Sequence, residues 1–269
     1  MRLYLSLLLS LLSFISKAFD PEPEYWIRPD SLGLGYVEKV LNTPDHAQLL
    51  SWHLPTTASI PLRKTLVIAY TLTGNMGNCV YYANAFLKAG FDIVLFDYRG
   101  FGHSSRFQFD SKQIYHDEFV TDLQTAIIAA KAQFPVNEIG VLSFSVSTIL
   151  ATLAYQNTPY DFLVAEGFAS DLPGIISFWK KEENKVLTLP VSAKSYPKAI
   201  TNVRCPVLLL AGTLDKITPS AEIKKVLAQR QNCRLLTYED EHLQGTSFWE
   251  EKEFADGYVR RISEFVSKL

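Results

Sequence analysis

The 269-residue chain contains no stretch of 18 consecutive apolar residues, no excess of basic residues, no internal repeat and only three cysteines. Each absence excludes something. A spanning helix needs about 18 or more apolar residues, so nothing here reads as a conventional transmembrane segment. With 26 Lys and Arg against 28 Asp and Glu, the formal net charge is −2, and the basic residues are scattered rather than striped. Phosphate backbones need a positive face, so nucleic acid is not an expected partner. No Cys/His cluster has the spacing of a metal site, and the chemistry read below calls for neither metal nor cofactor. What the chain does have is apolar residues, 48% of the total, enough for a sizeable buried core.

The N-terminus reads as an address. After Met1 and Arg2, residues 3–16 form an uncharged run of 14, followed by Lys17 and Ala18. A short basic end, a brief apolar core and a small residue before the cut describe a signal peptide, with cleavage expected after Ala18. Residues 1–18 are therefore expected to direct export, to a periplasm or to the outside. The alternatives are an uncleaved anchor, the one route to membrane contact, and a packed N-terminal helix. Export permits disulfides, and Cys205 and Cys233 each open an expected strand. A bridge between them stays open, with three buried free thiols as the favoured reading.

Residues 19–35 are rich in proline, acids and aromatics and read as a peripheral arm rather than a strand. Residues 36–269 read as one domain. Residues 36–41 and 48–54 alternate as an antiparallel hairpin around Asn42-Thr43-Pro44-Asp45-His46. Residues 66–70, 91–96, 138–142, 162–165, 207–211 and 234–238 then read as buried strands. Helices are expected at 79–89, 119–134, 147–155, about 220–228 and about 248–268. Strands alternating with helices predict a mainly parallel sheet covered on both faces. Only residues 172–203 fall outside the alternation, and they are read as a small cap above the strand C-termini. Phe178 and Trp179 in it suggest an apolar acyl pocket, with plain packing as the competing reading.

Chemistry centres on Val141-Leu142-Ser143-Phe144-Ser145-Val146-Ser147, where a strand passes into a helix with no polar linker. A serine at such an elbow is held on a strained turn with its hydroxyl exposed, and Ser145 is the candidate nucleophile. Glycines, the usual flanks of such a serine, are lacking; Ser143 and Ser147 stand in their place. Acyl transfer also needs a base, a carboxylate to orient it, and N–H donors for the oxyanion. Asp215 follows the strand 207–211, and His242 lies in the loop after the next strand. In a parallel sheet the three side chains converge. Asp171, after the strand 162–165, is the rival carboxylate. The N–H of Val146 and that of Asn75 or Met76, in the loop Thr73-Gly74-Asn75-Met76-Gly77-Asn78, are the candidate oxyanion donors. Cys79 reads as a buried thiol rather than a nucleophile.

With these motifs, together with Asp97-Tyr98-Arg99-Gly100-Phe101-Gly102-His103-Ser104, the chain from about residue 29 to 269 resembles the α/β-hydrolase fold family. Within it the chain is similar to the short-cap, serine-aminopeptidase-like serine hydrolases, esterases and thioesterases among them. The resemblance implies hydrolysis of a carboxylic ester or thioester through an acyl-enzyme on Ser145, with a small acyl-ester substrate. It implies a structural role for Arg99. Three departures stand out: the flanking serines, Thr73-Gly74 in place of His-Gly, and Asp45-His46 in place of Asp-Gly in the first hairpin, read as an ordinary turn change. Two other readings keep the same fold: a binding protein that has lost catalysis, and a peptidase or acyltransferase using the same triad.

Overall fold

The structure, a computed structural model, describes residues 19–228 and 231–269. The expected signal segment, residues 1–18, lies outside the described residues. Among those described, no helix is long and apolar enough to cross a membrane.

In chain order the strands are β1 (Asp20–Pro21), β2 (Val37–Asn42), β3 (Gln48–Leu54), β4 (Lys64–Ala69), β5 (Thr73–Gly74), β6 (Asp92–Phe96), β7 (Glu138–Phe144), β8 (Phe162–Glu166), β9 (Val207–Gly212) and β10 (Cys233–Tyr238). The helices are α1 (Val80–Lys88), α2 (Asp117–Gln133), α3 (Ser147–Ala154), α4 (Leu172–Glu183), α5 (Tyr196–Asn202), α6 (Ser220–Leu227), α7 (Gly245–Phe248) and α8 (Asp256–Val266). Eight strands form one sheet in the order β10-β9-β8-β7-β4-β6-β3-β2. All neighbours are parallel except β2 with β3 and β3 with β6. Strands β6, β8 and β9 are buried at every position, which is why they read as unbroken apolar runs. One helical layer holds α2 and α3, packed together against the central strands; α1 and α8 pack on each other in the second layer. This is the α/β-hydrolase fold, with small insertions as its cap.

The cap between β8 and β9 comprises α4, a short 3-10 turn (Val191–Ser195) and α5. It is sewn to the body by Tyr196 Oη donating to Ala169 O at 2.8 Å and by Gln156 Nε2 donating to Ala199 O at 3.2 Å. Trp179 meets Phe178 edge to face, and its own face is covered by the Lys185 ammonium at 5.1 Å. Cys79 and Cys205 are buried and Cys233 is half-buried; the register pairs Cys233 with Val207, two residues beyond Cys205.

Two expectations are corrected. The last helix does not run from 248 to 268 but breaks between α7 and α8. The Asp256 carboxylate gathers the N–H groups of Glu251, Lys252, Glu253 and Gly257 at 2.7–3.2 Å, and Ala255 turns left-handed at φ 62°. Those donors close a loop where helical periodicity had suggested a continuous rod. The hairpin turn is also not ordinary: His46 sits at φ 69°, a region that crowds any Cβ. Beside it Arg99 grips Asp45 through two bonds of 2.6 and 2.9 Å and the buried Asp122 at 2.7 and 2.9 Å, tying the turn to α2. That clamp holds the turn in shape despite the unfavourable residue. His46→Gly, which relieves the strain and leaves the clamp, is expected to stabilise the protein by about 1 kcal/mol, seen as a rise in Tm of roughly 2–4 °C.

Candidate active site

Strand β7 ends at Phe144 and α3 begins at Ser147, so the chain reverses direction within two residues. Ser145 takes the turn at φ 51°, which costs a residue with a Cβ about 1–2 kcal/mol. Its N–H donates to Glu166 O at 2.9 Å, fixing the elbow to the end of β8. The flanking serines fit because their own backbones are ordinary strand and helix and their hydroxyls find partners. Ser147 Oγ donates to Tyr70 O and accepts from Tyr98 Oη at 3.4 Å; Ser143 Oγ faces Val164 O at 3.4 Å. Both are wholly buried.

The parallel sheet brings the ends of β7, β9 and β10 to one edge, and with them Ser145, Asp215 and His242. His242 Nε2 lies 2.9 Å from Ser145 Oγ, and its Nδ1 lies 2.7 Å from Asp215 Oδ2. Asp215 Oδ1 accepts the N–H groups of Ile217 and Thr218 at 2.8 and 2.9 Å, and Oδ2 accepts the Thr218 hydroxyl at 2.6 Å. Burial pushes this carboxyl up, but the hydrogen bonds from His242 and Thr218 and the imidazole charge outweigh burial and hold it below the usual range. With every partner of Asp215 a donor, Nδ1 carries the proton and Nε2 is left to accept from the serine.

Two glycines make room for this arrangement. A Cβ on Gly212, at the end of β9, would strike the carbonyl oxygens of Asp240 and Glu241, so the histidine loop lies directly on that strand. Gly167, at φ 65°, would place a Cβ 2.6 Å from His242 Cε1. Gly167→Ala is therefore expected to displace the imidazole and lower kcat by about 10²-fold with little change in KM, measured by steady-state kinetics.

Of the three oxyanion candidates, the N–H groups of Val146 and Asn75 enter no intramolecular hydrogen bond among the described residues. Met76 is corrected: its N–H donates to Asp97 Oδ1 at 2.7 Å and is not free for a substrate. Asp171 caps α4, accepting from Gly174 N at 3.1 Å, while the Nδ1 partner of His242 is Asp215. His53 pairs through Nε2 with Ser51 at 3.1 Å and is pushed down to about 4 by burial. His116 accepts from Asp110 N. The Cys79 thiol is pushed up to about 12 by burial, the state of an inert thiol.

One residue escaped the sequence reading. Glu166 is buried, and its Oε1 accepts Tyr238 Oη and Gly245 N, both at 2.8 Å, while its carbonyl holds Ser145 N. It thus clamps the serine elbow and both flanks of the histidine loop. Burial raises its carboxyl above the usual range. The available signal was an acid closing the apolar run Phe162-Leu163-Val164-Ala165, where strands seldom bury a charge without purpose.

Residues 61–189 match the family described as serine aminopeptidase, S33, a span that includes Ser145. Among solved structures, an esterase of Pyrococcus furiosus is similar over 93% of this chain and 99% of its own, at 18% identity and a TM-score of 0.73. A serine hydrolase without lid from Xanthomonas campestris is similar over 87% and 94%, at 18% identity and a TM-score of 0.61. An acylaminoacyl peptidase of Pyrococcus horikoshii is similar over 88% of this chain and 42% of that one, at 14% identity and a TM-score of 0.58. No curated protein matches the sequence. The chain has the α/β-hydrolase fold.

Proposed function

We propose that this protein is a serine hydrolase that cleaves a carboxylic ester or thioester through an acyl-enzyme on Ser145. The observation that carries the reading is the unbroken chain Ser145 Oγ, His242, Asp215, with distances of 2.9 and 2.7 Å, beside two uncommitted N–H groups. Ser145 Oγ attacks the acyl carbonyl while its proton passes to His242 Nε2. The oxyanion is received by the N–H groups of Val146 and Asn75, each such donor being typically worth about 3 kcal/mol in the transition state. His242 then gives its proton to the departing alkoxide or thiolate, and the acyl group stays on Ser145. Water, deprotonated by the same imidazole, attacks the acyl-enzyme and releases the acid. Asp215 holds the tautomer and offsets the imidazolium charge. None of these steps calls on a cofactor.

The esterase from Pyrococcus furiosus, similar over nearly the whole of both chains, favours an ester; the acylaminoacyl peptidase keeps amides among the substrates to be tried. A panel of acyl esters, acyl thioesters, aminoacyl amides and acceptor alcohols decides between them. Ester or thioester turnover with water as acceptor is the expected result. Turnover confined to amides would make the protein a peptidase, and preference for an alcohol acceptor would make it a transferase. Export belongs to the same proposal and rests on the sequence of residues 1–18. N-terminal sequencing of the protein produced with its leader is expected to begin at Phe19, and a start at Met1 or Arg2 would overturn cleavage.

A further inference from the structure

We infer that the N-terminal arm, residues 20–27, is the brace that aims the Asn75 N–H, and that Tyr25 is its positioning residue. The inference rests on the proposed function for its meaning, and on five contacts for its geometry. First, β1 pairs in parallel with β5, and Glu22 N donates to Gly74 O at 2.9 Å, immediately before the donor residue. Second, the Asn75 side chain gives both of its N–H bonds to the arm, to Glu22 O at 3.1 Å and Glu24 O at 2.8 Å. Third, Tyr25 Oη donates to Asp97 Oδ2, while Asp97 Oδ1 accepts the Met76 N–H at 2.7 Å. Fourth, Trp26 Nε1 donates to Asn78 Oδ1 at 2.7 Å. Fifth, Gly77 lies so close to the arm that a Cβ there would stand 2.9 Å from Ile27 O.

The peptide carrying the Asn75 N–H is thus pinned before, at and after the donor, and each pin leads back to the arm. Within the loop Gly77 N donates to Asn75 Oδ1 at 2.9 Å and Asn78 N to Asn75 O at 3.1 Å; its side-chain ties outward run to the arm and to Asp97. Thr73 is exposed, and its hydroxyl meets only that of Thr71, at 3.0 Å. Asp97 is wholly buried with no cation against it among the described residues; its partners are Tyr25, Tyr70 Oη at 3.1 Å, Met76 N and the backbone of His103. Removing the Tyr25 hydroxyl takes the side-chain donor from Oδ2 and loosens the carboxylate that holds Met76. Gly102 guards the same contact: at φ 47°, a Cβ there would lie 2.6 Å from Tyr25 Oη and would collide with the Asp97 carboxylate.

The test uses the full chain as Tyr25→Phe and, independently, Gly102→Ala. Hydrogen–deuterium exchange of the segment 73–79 is read beside kcat and KM on an ester that the wild type hydrolyses. The brace requires exchange in 73–79 to rise by about tenfold while β4 and β9 exchange as in the wild type. It also requires kcat to fall by about tenfold or more with KM within about twofold, since an oxyanion donor acts on the transition state. Wild-type exchange in 73–79, or raised exchange with an unchanged kcat, would overturn it. A wild type without any hydrolysis would overturn the proposed function instead; the exchange comparison would still decide whether the arm holds the loop.

Discussion

Ser145→Ala is expected to fold as the wild type does and to lose ester hydrolysis by about 10⁴-fold or more, with substrate binding retained. The size of the loss follows from what the hydroxyl is placed to do. His242 Nε2 has one partner, Ser145 Oγ at 2.9 Å, and the imidazole is already oriented from behind by Asp215 at 2.7 Å. Without Oγ there is no atom to attack the carbonyl, and the donors at Val146 and Asn75 can stabilise only the much slower attack of water. The fold is indifferent to the change, because Ser145 enters the elbow through its backbone: its N–H is held by Glu166 O, and alanine at φ 51° is strained to the same degree as serine. Steady-state kinetics with a thermal melt on the same sample separates the two effects. A variant that melts normally and keeps more than about one percent of the rate would point to a different nucleophile.

Asp215→Asn is expected to cost about 10⁴-fold in kcat while changing KM little. The reasoning is one of hydrogen-bond polarity. Asp215 Oδ1 is claimed by two backbone donors, Ile217 N and Thr218 N, so an amide at this position must turn its oxygen toward them. Its NH₂ then faces His242 Nδ1. The imidazole answers by carrying its proton on Nε2, where it meets Ser145 Oγ as a donor and has no lone pair to take the serine proton. Geometry is preserved and chemistry is lost. Asp215→Ala removes the orienting group altogether and leaves the buried end of the imidazole unpartnered, so the asparagine variant is the cleaner experiment. A kcat within about tenfold of the wild type in Asp215→Asn would show that another carboxylate orients the base.

The serine elbow, the loop after β9 and the loop after β10 were readable because they sit at fixed places in a repeating pattern. Each follows an apolar run, and a parallel sheet carries the ends of such runs to one edge. Ser145, Asp215 and His242 therefore converge from positions 70 and 27 residues apart in the chain. What escaped was whatever depends on contacts between segments with no shared pattern. Glu166 looks like the polar end of a strand until Tyr238 and Gly245 close over it. Met76 and Asn75 are adjacent and equivalent as text, and only the arrival of Asp97 commits one N–H and leaves the other. The arm was expected to lie on the surface as an irregular strip. Its two-residue pairing with β5 is too short to leave an alternating signature, and proline at one of the two positions hides it further. The break before α8 was hidden for a related reason: Asp256 reads as a helix surface residue but collects the four N–H groups that end one helix and start the next. Strain was equally silent, since His46 and Ser145 both adopt left-handed backbone that their side chains do not advertise.

The absent glycines around the elbow turn out to be a local matter. Only the tip residue needs the left-handed region, and Ser143 and Ser147 each bury a hydroxyl against neighbouring groups. Ser147 binds Tyr70 O, at the end of the strand that leads into the loop 73–78, so the serine ties the elbow to that loop's strand by a bond that glycine lacks.

Whether Ser145 acts as a nucleophile is read out by covalent capture. The folded wild-type protein is treated with a fluorophosphonate and the site of attachment is mapped by mass spectrometry of its peptides. One adduct is expected, on Ser145, absent from Ser145→Ala. Folded protein that takes no label, or takes it on another residue, would contradict that role.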